Sequence, residues 1–470
     1  MTDDQSAPSA QWAELEYGPW QGVRLPRKPP SEEVREDLDL PRSIHPIDDK
    51  AVTQQPVFDP ALAGYSRALR PSEPAFTHPE LARRWLAARR TALDTVLSAV
   101  AASPWAEHLV LRGSVLLRAW YGELAREPGD LDFVVRPVDW QLEDPRTDRM
   151  LNELATAADH LSTTGGDEQR TGVRLHADQA LSDEIWTYSR IPGRRLVLPW
   201  TAPGVPGGTV QLDFVFTEHL PVEPQSYRLP GVTGPLLTAT PQLSLAWKIL
   251  WLVSDNHPQG KDLYDAVLLS RTAEVPYDLL RAVFAQADEG SWWSRSPVLP
   301  HHIGELEVDW DEFAKDHPQF AEPVEEYPAQ LLAALGTTFA GRTEYALRAH
   351  WLAPLIGELR PVLAEEGVDA VLRHTSAQHM GTVDSLVLVC ELLGRDLDAA
   401  RRACAGSRTP PSASPPNAPP TDSCPATPRP SVTSRDRCPA TRPTGVPSPG
   451  LGPGKGHRSF WRRPLRDTCS

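Results

Sequence analysis

Residues 111–135 read LRGSVLLRAWYGELAREPGDLDFVV. Gly113 and Ser114 open the stretch, Asp130 and Asp132 flank Leu131 near its end, and the apolar Phe133, Val134 and Val135 follow the acids. The pattern predicts a short strand (HLVLRG), a helix across Val115 to Glu123 and a second strand (DLDFVVRP). Residues two apart in a strand point the same way, so Asp130 and Asp132 share one face and Leu131 and Phe133 the other. Such carboxylates repel each other and require a counter-charge. The Gly113-Ser114 junction, where a strand turns into a helix, offers free backbone N–H groups and a hydroxyl to phosphate oxygens.

A third acid lies about eighty residues on. In VQLDFVF the alternation sets Val210, Leu212, Phe214 and Phe216 on one face and Gln211, Asp213 and Val215 on the other. Asp130, Asp132 and Asp213 on neighbouring strands would hold one or two Mg²⁺ ions through oxygen ligands. In such a centre one ion activates an attacking hydroxyl and the other stabilises a leaving pyrophosphate. Arg118 and Arg126 flank the acids and add positive charge. A lone Asp-x-Asp is a common strand-end feature and a lone Gly-Ser commoner still; the order of all four signals is what favours a functional reading.

Lys248 is the single charge in the apolar run SLAWKILWLV. A lysine there is ordinarily a surface residue whose stem covers apolar neighbours, but Trp247, Ile249, Leu250 and Trp251 crowd it on both sides. In KDLYDAVLLSR, Asp262 and Asp265 share a helical face beside Lys261. A carboxylate on that helix would orient Lys248; the plain alternative is an acid interacting with the dipole at a helix N-terminus.

Organisation follows composition. Residues 1–75 are rich in Pro and charge without a sustained period and read as an extended arm. Residues 76–274 form the strand-bearing domain, starting with a long helix from Pro79 with Thr77 as its N-cap. IWTYSRIPGRRLVLPW and GTVQLDFVF read as two strands, with one helix near Met150 to Leu161. Residues 275–400 are mainly helical. Residues 401–470 hold 15 prolines with Ser, Thr, Arg and Gly, too few apolar groups to offset the ordering entropy. That composition fits a disordered tail or a reading frame run past its natural end.

The chain carries a net charge of -15, and residues 401–470 hold 12 Lys and Arg against 3 Asp, which leaves -24 on the first 400. A broad non-specific nucleic-acid coat does not suit so acidic a body; a polynucleotide would be gripped at a local basic cleft. Arg194, Arg195, Lys248 and Lys261 are candidates for it beside Arg118 and Arg126. The five cysteines (Cys390, Cys404, Cys424, Cys438, Cys469) show neither CxxC spacing nor a histidine arrangement of the zinc type, so neither structural zinc nor a disulfide framework is expected. No apolar run of eighteen residues occurs, and the acidic opening MTDDQSAPSAQWAELEYG is unlike a secretion signal. The expectation is a cytoplasmic protein with no membrane contact.

LRGSVLLRAWYGELAREPGDLDFVV, VQLDFVF, LAWKILWLV and KDLYDAVLLSR, in that order, resemble the motifs of the AbiEii/AbiGii nucleotidyltransferase-like toxins, within the DNA polymerase β-like nucleotidyltransferase superfamily. The likeness covers roughly residues 80 to 275 and, more loosely, the helical region to about 390. It implies an α+β fold: a small mixed β-sheet nucleotidyltransferase core with flanking helices, followed by a mainly helical region. By motif it makes Gly113 and Ser114 the nucleotide-binding turn, Asp130 and Asp132 the metal pair, Lys248 the helix lysine and Asp262 the later acid. Arg118 and Arg126 fall at arginine positions seen in variants of the pattern. Many members carry an arginine between the helix lysine and the Lys-Asp motif; here WLVSDNHPQG offers only His257.

The resemblance further implies Mg²⁺, a nucleoside triphosphate (NTP) as substrate, transfer of a nucleoside monophosphate (NMP) to a hydroxyl such as the 3′ end of tRNA, and a cognate antitoxin. Two other readings stand beside it. One is a non-enzymatic nucleotide-binding or protein-interaction module on the same scaffold; the other is a nucleotidyltransferase for small-molecule antibiotics. Retention of three mutually repelling acids favours an enzyme.

Overall fold

The computed structural model describes residues 12–394 apart from 14, 16–17, 19, 21, 165–171, 188–190, 256–257, 288–295 and 321–325. The tail read from 401 to 470 and His257 lie outside the described residues.

The fold is mixed α+β: a curled sheet flanked by helices, with helices following it in sequence. Its strands are β1 (Leu109–Arg112), β2 (Asp130–Val135), β3 (Arg174–Leu175), β4 (Leu181–Thr187), β5 (Ile191–Ala202), β6 (Val205–Val215), β7 (Gln225–Tyr227) and β8 (Leu236–Thr238). They lie in the order β7-β8-β1-β2-β6-β5-β3, with β4 also on β5. β2 runs antiparallel to β1 and parallel to β6, and β5 runs antiparallel to β6. IWTYSRIPGRRLVLPW therefore spans parts of two strands rather than one, and the short strands β7, at the edge, and β8 beside it were not anticipated. Three residues each is too short for alternation to show in sequence.

The apolar alternation places the core. Leu131, Phe133, Leu212 and Phe214 are all buried, and Phe133 and Phe214, direct partners in the parallel pairing, stack at 5.4 Å and 14°. Each ring so buried contributes on the order of 2 kcal/mol. Helices α1 (Pro79–Ala102) and α3 (Pro145–Thr164) pack on each other, and α1 also packs on β6. The N-cap of α1 is His78, without a side-chain hydrogen bond, not Thr77: the Thr77 N–H instead pairs with Ala51 O, at the end of a ribbon from the arm.

Helix α2 (Ser114–Tyr121) joins β1 to β2 through a short 3₁₀ turn at Gly122–Leu124. Helix α4 (Pro241–Ser254) starts at Thr240, whose side chain accepts from Leu243 N–H, and packs on α5 (Gly260–Ser270). Helices Tyr277–Ala287, Trp310–Asp316, Tyr327–Ala334, Glu344–Glu366, Val368–Ala377 and Thr382–Leu393 lie beyond. The last three enclose a small core of their own around Leu352, Val371 and Leu388. Among the described residues no helix is long and apolar enough to cross a membrane.

The arm is more structured than its composition implied. It carries a helix, Glu32–Leu38, capped by Ser31. Two ribbons pair Val52–Thr53 with Ala75–Phe76 and Pro56–Phe58 with Leu69–Pro71. A core of Trp12, Trp20, Leu25, Leu40, Ile44 and Leu69 holds it together. These apolar residues are spaced by neither 2 nor 3.6, so periodicity could not reveal them.

Candidate active site

Both Asp-x-Asp and the later acid reach one face of the sheet. In the β2–β6 pairing Asp132 stands opposite Asp213 and Asp130 opposite Gln211. The same row extends to Arg112 beyond Asp132, to Arg195 beyond Asp213 and to Asp183 beyond Arg195. Five strands thus present a line of charge, Arg112, Asp132, Asp213, Arg195 and Asp183, on the face opposite the phenylalanine stack. Apart from Asp183 these residues line a cleft of about 420 Å³, together with Asp130 and Gly113.

Gly113 is fixed by geometry. Its φ is +86°, and a Cβ there would overlap the Asp132 carboxylate. The absent side chain lets the start of α2 approach the acids, and Ser114 Oγ lies 3.4 Å from Asp130 Oδ1. Burial pushes the Asp132 carboxyl up to about 7, with Asp130 and Asp213 acting in the same direction. At Asp130 burial also opposes ionisation, but Lys261 and Arg126 outweigh it and hold this carboxyl below its usual range. Asp213 is raised by burial, against the pull of Arg195.

Arg195 grips Asp213 as a fork, Nε to Oδ1 at 2.9 Å and Nη2 to Oδ2 at 2.8 Å, and its Nη1 donates to Asp59 of the arm at 2.7 Å. All three are buried. Arg195 thus sits mid-strand facing the cleft. Arg194, its neighbour, points to the opposite face and pairs with exposed Asp148 at 2.8 Å. Counting both arginines toward one basic cleft overlooked the strand alternation that divides them.

Lys248 is buried at the cleft wall, its Nζ 2.7 Å from Asp262 and 3.0 Å from Asp265 and over the Trp251 ring at 4.7 Å. Arg126 donates to the fully buried Asp265. Burial lowers the basicity of Lys248, and the two acids more than restore it. Lys248, Asp262 and Arg126 therefore meet beside the acids, as an internally paired group. Arg118 does not join them: its guanidinium reaches past the C-terminus of α2 to Gly122 O, Ala125 O, Glu123 and Glu127. Lys261 faces the cleft and makes no ion pair among the described residues.

Residues 95–334 match the family described as nucleotidyl transferase AbiEii toxin, type IV TA system. The chain belongs to the AbiEii nucleotidyl transferase family. No curated protein matches it. The AbiEii match takes in β1 through β8 and the helices to Ala334, so it contains the Gly113 turn, all three acids, Lys248 and Asp262. It leaves out the arm, whose Asp59, Arg70 and Glu73 nevertheless line the cleft. Arg70 pairs with Asp316 at 2.8 Å, and the Glu73 N–H donates to the same carboxylate. Sequence reasoning missed these arm residues, and Arg195's tie to Asp213, because contacts across 18 to 246 positions carry no local signal.

The donor set fits a cation only in part. Asp130 and Asp132 share one face of β2 and neither has an ion pair among the described residues, so they suit a hard divalent ion. Asp213 as a third ligand does not fit as arranged, since both its oxygens receive Arg195. Among the described residues no group of three acids, histidines or cysteines is disposed to hold a metal.

Proposed function

We propose that this AbiEii-family chain transfers NMP from an NTP to the terminal hydroxyl of an RNA, the 3′ end of tRNA being the acceptor the family resemblance suggests, and that it acts as a cytoplasmic toxin restrained by an antitoxin. The observation that carries the chemistry is the facing of Asp130 and Asp132 with Asp213 across paired strands, beneath the Gly113 turn. The acceptor oxygen attacks the α-phosphorus, the bond to the β-bridging oxygen breaks, and pyrophosphate departs. The N–H groups at the start of α2 and the Ser114 hydroxyl would hold triphosphate oxygens. Lys261 supplies positive charge at the same wall. The hydroxyl proton passes to water, since both oxygens of Asp213 already accept from Arg195. A divalent cation on Asp130 and Asp132 would supply Lewis-acid stabilisation of the triphosphate.

The test is incubation of the purified chain with each labelled NTP and Mg²⁺ against total RNA, an aminoglycoside mixture and a protein lysate. Label in small RNA supports the reading. Label confined to the small molecules or to protein replaces the acceptor and keeps the reaction, whereas NTP binding without transfer points to a non-enzymatic module.

A further inference from the structure

The cleft holds more cations than its chemistry uses, and most are already spoken for. Arg112 pairs with Glu218, Arg70 with Asp316, and Arg126 and Lys248 with Asp265 and Asp262. Asp59, Asp130, Asp132 and Asp213 stand on and beside the sheet row against Arg195 and Lys261, two more acids than cations, while Asp255 and Asp309 line the cleft elsewhere. One divalent ion neutralises that surplus. A second would have to enter at Asp213, where a guanidinium already forks both oxygens.

The guanidinium is held there from outside the family region. Asp59, at the start of a 3₁₀ turn of the arm, takes the third Arg195 donor. The arm is seated next to it on β4: Asp183, opposite Arg195, accepts from the backbone N–H of Arg42 and Ser43 at 3.0 and 2.6 Å and from the Tyr65 hydroxyl at 2.9 Å. Arg195 is thus held by three of its N–H donors, two on Asp213 of the sheet and one on Asp59 of the arm.

We infer that this centre binds one divalent cation, on Asp130 and Asp132, and that Arg195, positioned by Asp59 of the arm, takes the place beside Asp213 where a second ion would sit. The inference rests on the nucleotidyl-transfer reading of the same cleft. It makes Arg195 and Asp59 positioning residues and makes the arm part of the centre.

The experiment is titration of the full chain with Mn²⁺ in the absence of nucleotide, read by the electron paramagnetic resonance of free Mn²⁺. The wild type should bind one ion per chain, and Asp132→Asn should lose it. Arg195→Gln frees Asp213, so it should bind a second ion or hold the first at least about tenfold more tightly. A wild-type count of two or of none overturns the inference, as does a retained ion in Asp132→Asn, and neither measurement depends on Arg195→Gln folding. An Arg195→Gln variant that is folded by circular dichroism yet titrates like wild type also overturns it. Label transfer on the same preparations separates the two readings: no transfer with a count of one is a failure of the proposed reaction, and transfer with a count of two is a failure of this inference alone.

Discussion

Lys248 donates to Asp262 across 2.7 Å between two packed helices, and both side chains are withdrawn from water. The same ammonium reaches Asp265, which is fully buried. Removing one partner of a buried pair strands the other charge. Lys248→Met should therefore cost about 3 kcal/mol of stability, read from the urea midpoint at constant m-value. A cost below about 1 kcal/mol would show a pair that water screens as it does at surfaces.

Gly113→Ala forces a side chain into the Asp132 carboxylate at a φ of +86°. The expected result is a loss of about 1–3 kcal/mol in stability and of about a hundredfold in label transfer, since the turn and the acids can no longer approach. Transfer within a factor of two of wild type would remove Gly113 from the site.

The Asp132 carboxyl, pushed up to about 7 by burial with Asp130 and Asp213, sets a pH dependence. Between the unfolded value of about 4 and that of the native state, the folded chain keeps a proton the unfolded chain has lost, so stability falls as pH rises through this window. In metal-free buffer Asp132→Asn should lose less melting temperature, or gain more, than the wild type between pH 4.5 and 7.5 (about the two ends of that interval), because it lacks this contribution, while transfer is abolished. A larger loss, or a smaller gain, in the variant would contradict the assignment.

His317 and His302 act at acid pH with the opposite sign. Burial holds both down at about 4, against an ordinary 6.5, with Arg126 adding to the effect at His317 and His301 at His302. Below 6.5 the unfolded chain takes up protons that the folded chain refuses, so stability is lost as pH falls from 6.5 toward 4. Replacing both by Gln should make acid unfolding shallower over that range, measured by circular dichroism; an unchanged profile would place the two rings in water.

Arg194 and Arg195 should part company. Arg194→Ala breaks a pair with an exposed acid and should change stability by less than about 1 kcal/mol. Arg195→Ala leaves Asp59 and Asp213 buried without a cation and should cost about 3–5 kcal/mol. Equal effects, by thermal melts of the two variants, would mean that the strand alternation assigned here is wrong.

The face of β2 and β6 was legible because a strand has a fixed period of two. Asp130 and Asp132 could only share a side, and in VQLDFVF Asp213 could only stand apart from Leu212 and Phe214. The helix lysine and the acids at 262 and 265 were legible for the same reason, as charges at defined intervals in apolar runs. Arg194 and Arg195 were equally open to this rule: in a strand, adjacent residues point to opposite faces, so only one of the two could face the cleft.

Local order set by backbone periodicity was thus written in the sequence: two strands with acids on one face, a glycine turn beside them, and helices carrying Lys248 and Asp262. Partnership was not. Which cation would neutralise Asp213, whether Arg118 would face the cleft, and that residues near Asp59 would close it were decided by tertiary packing. The physical reason is that a strand or helix fixes where a side chain points. Burial and charge balance fix whom it meets, and those are properties of segments distant in the chain brought together only when it folds.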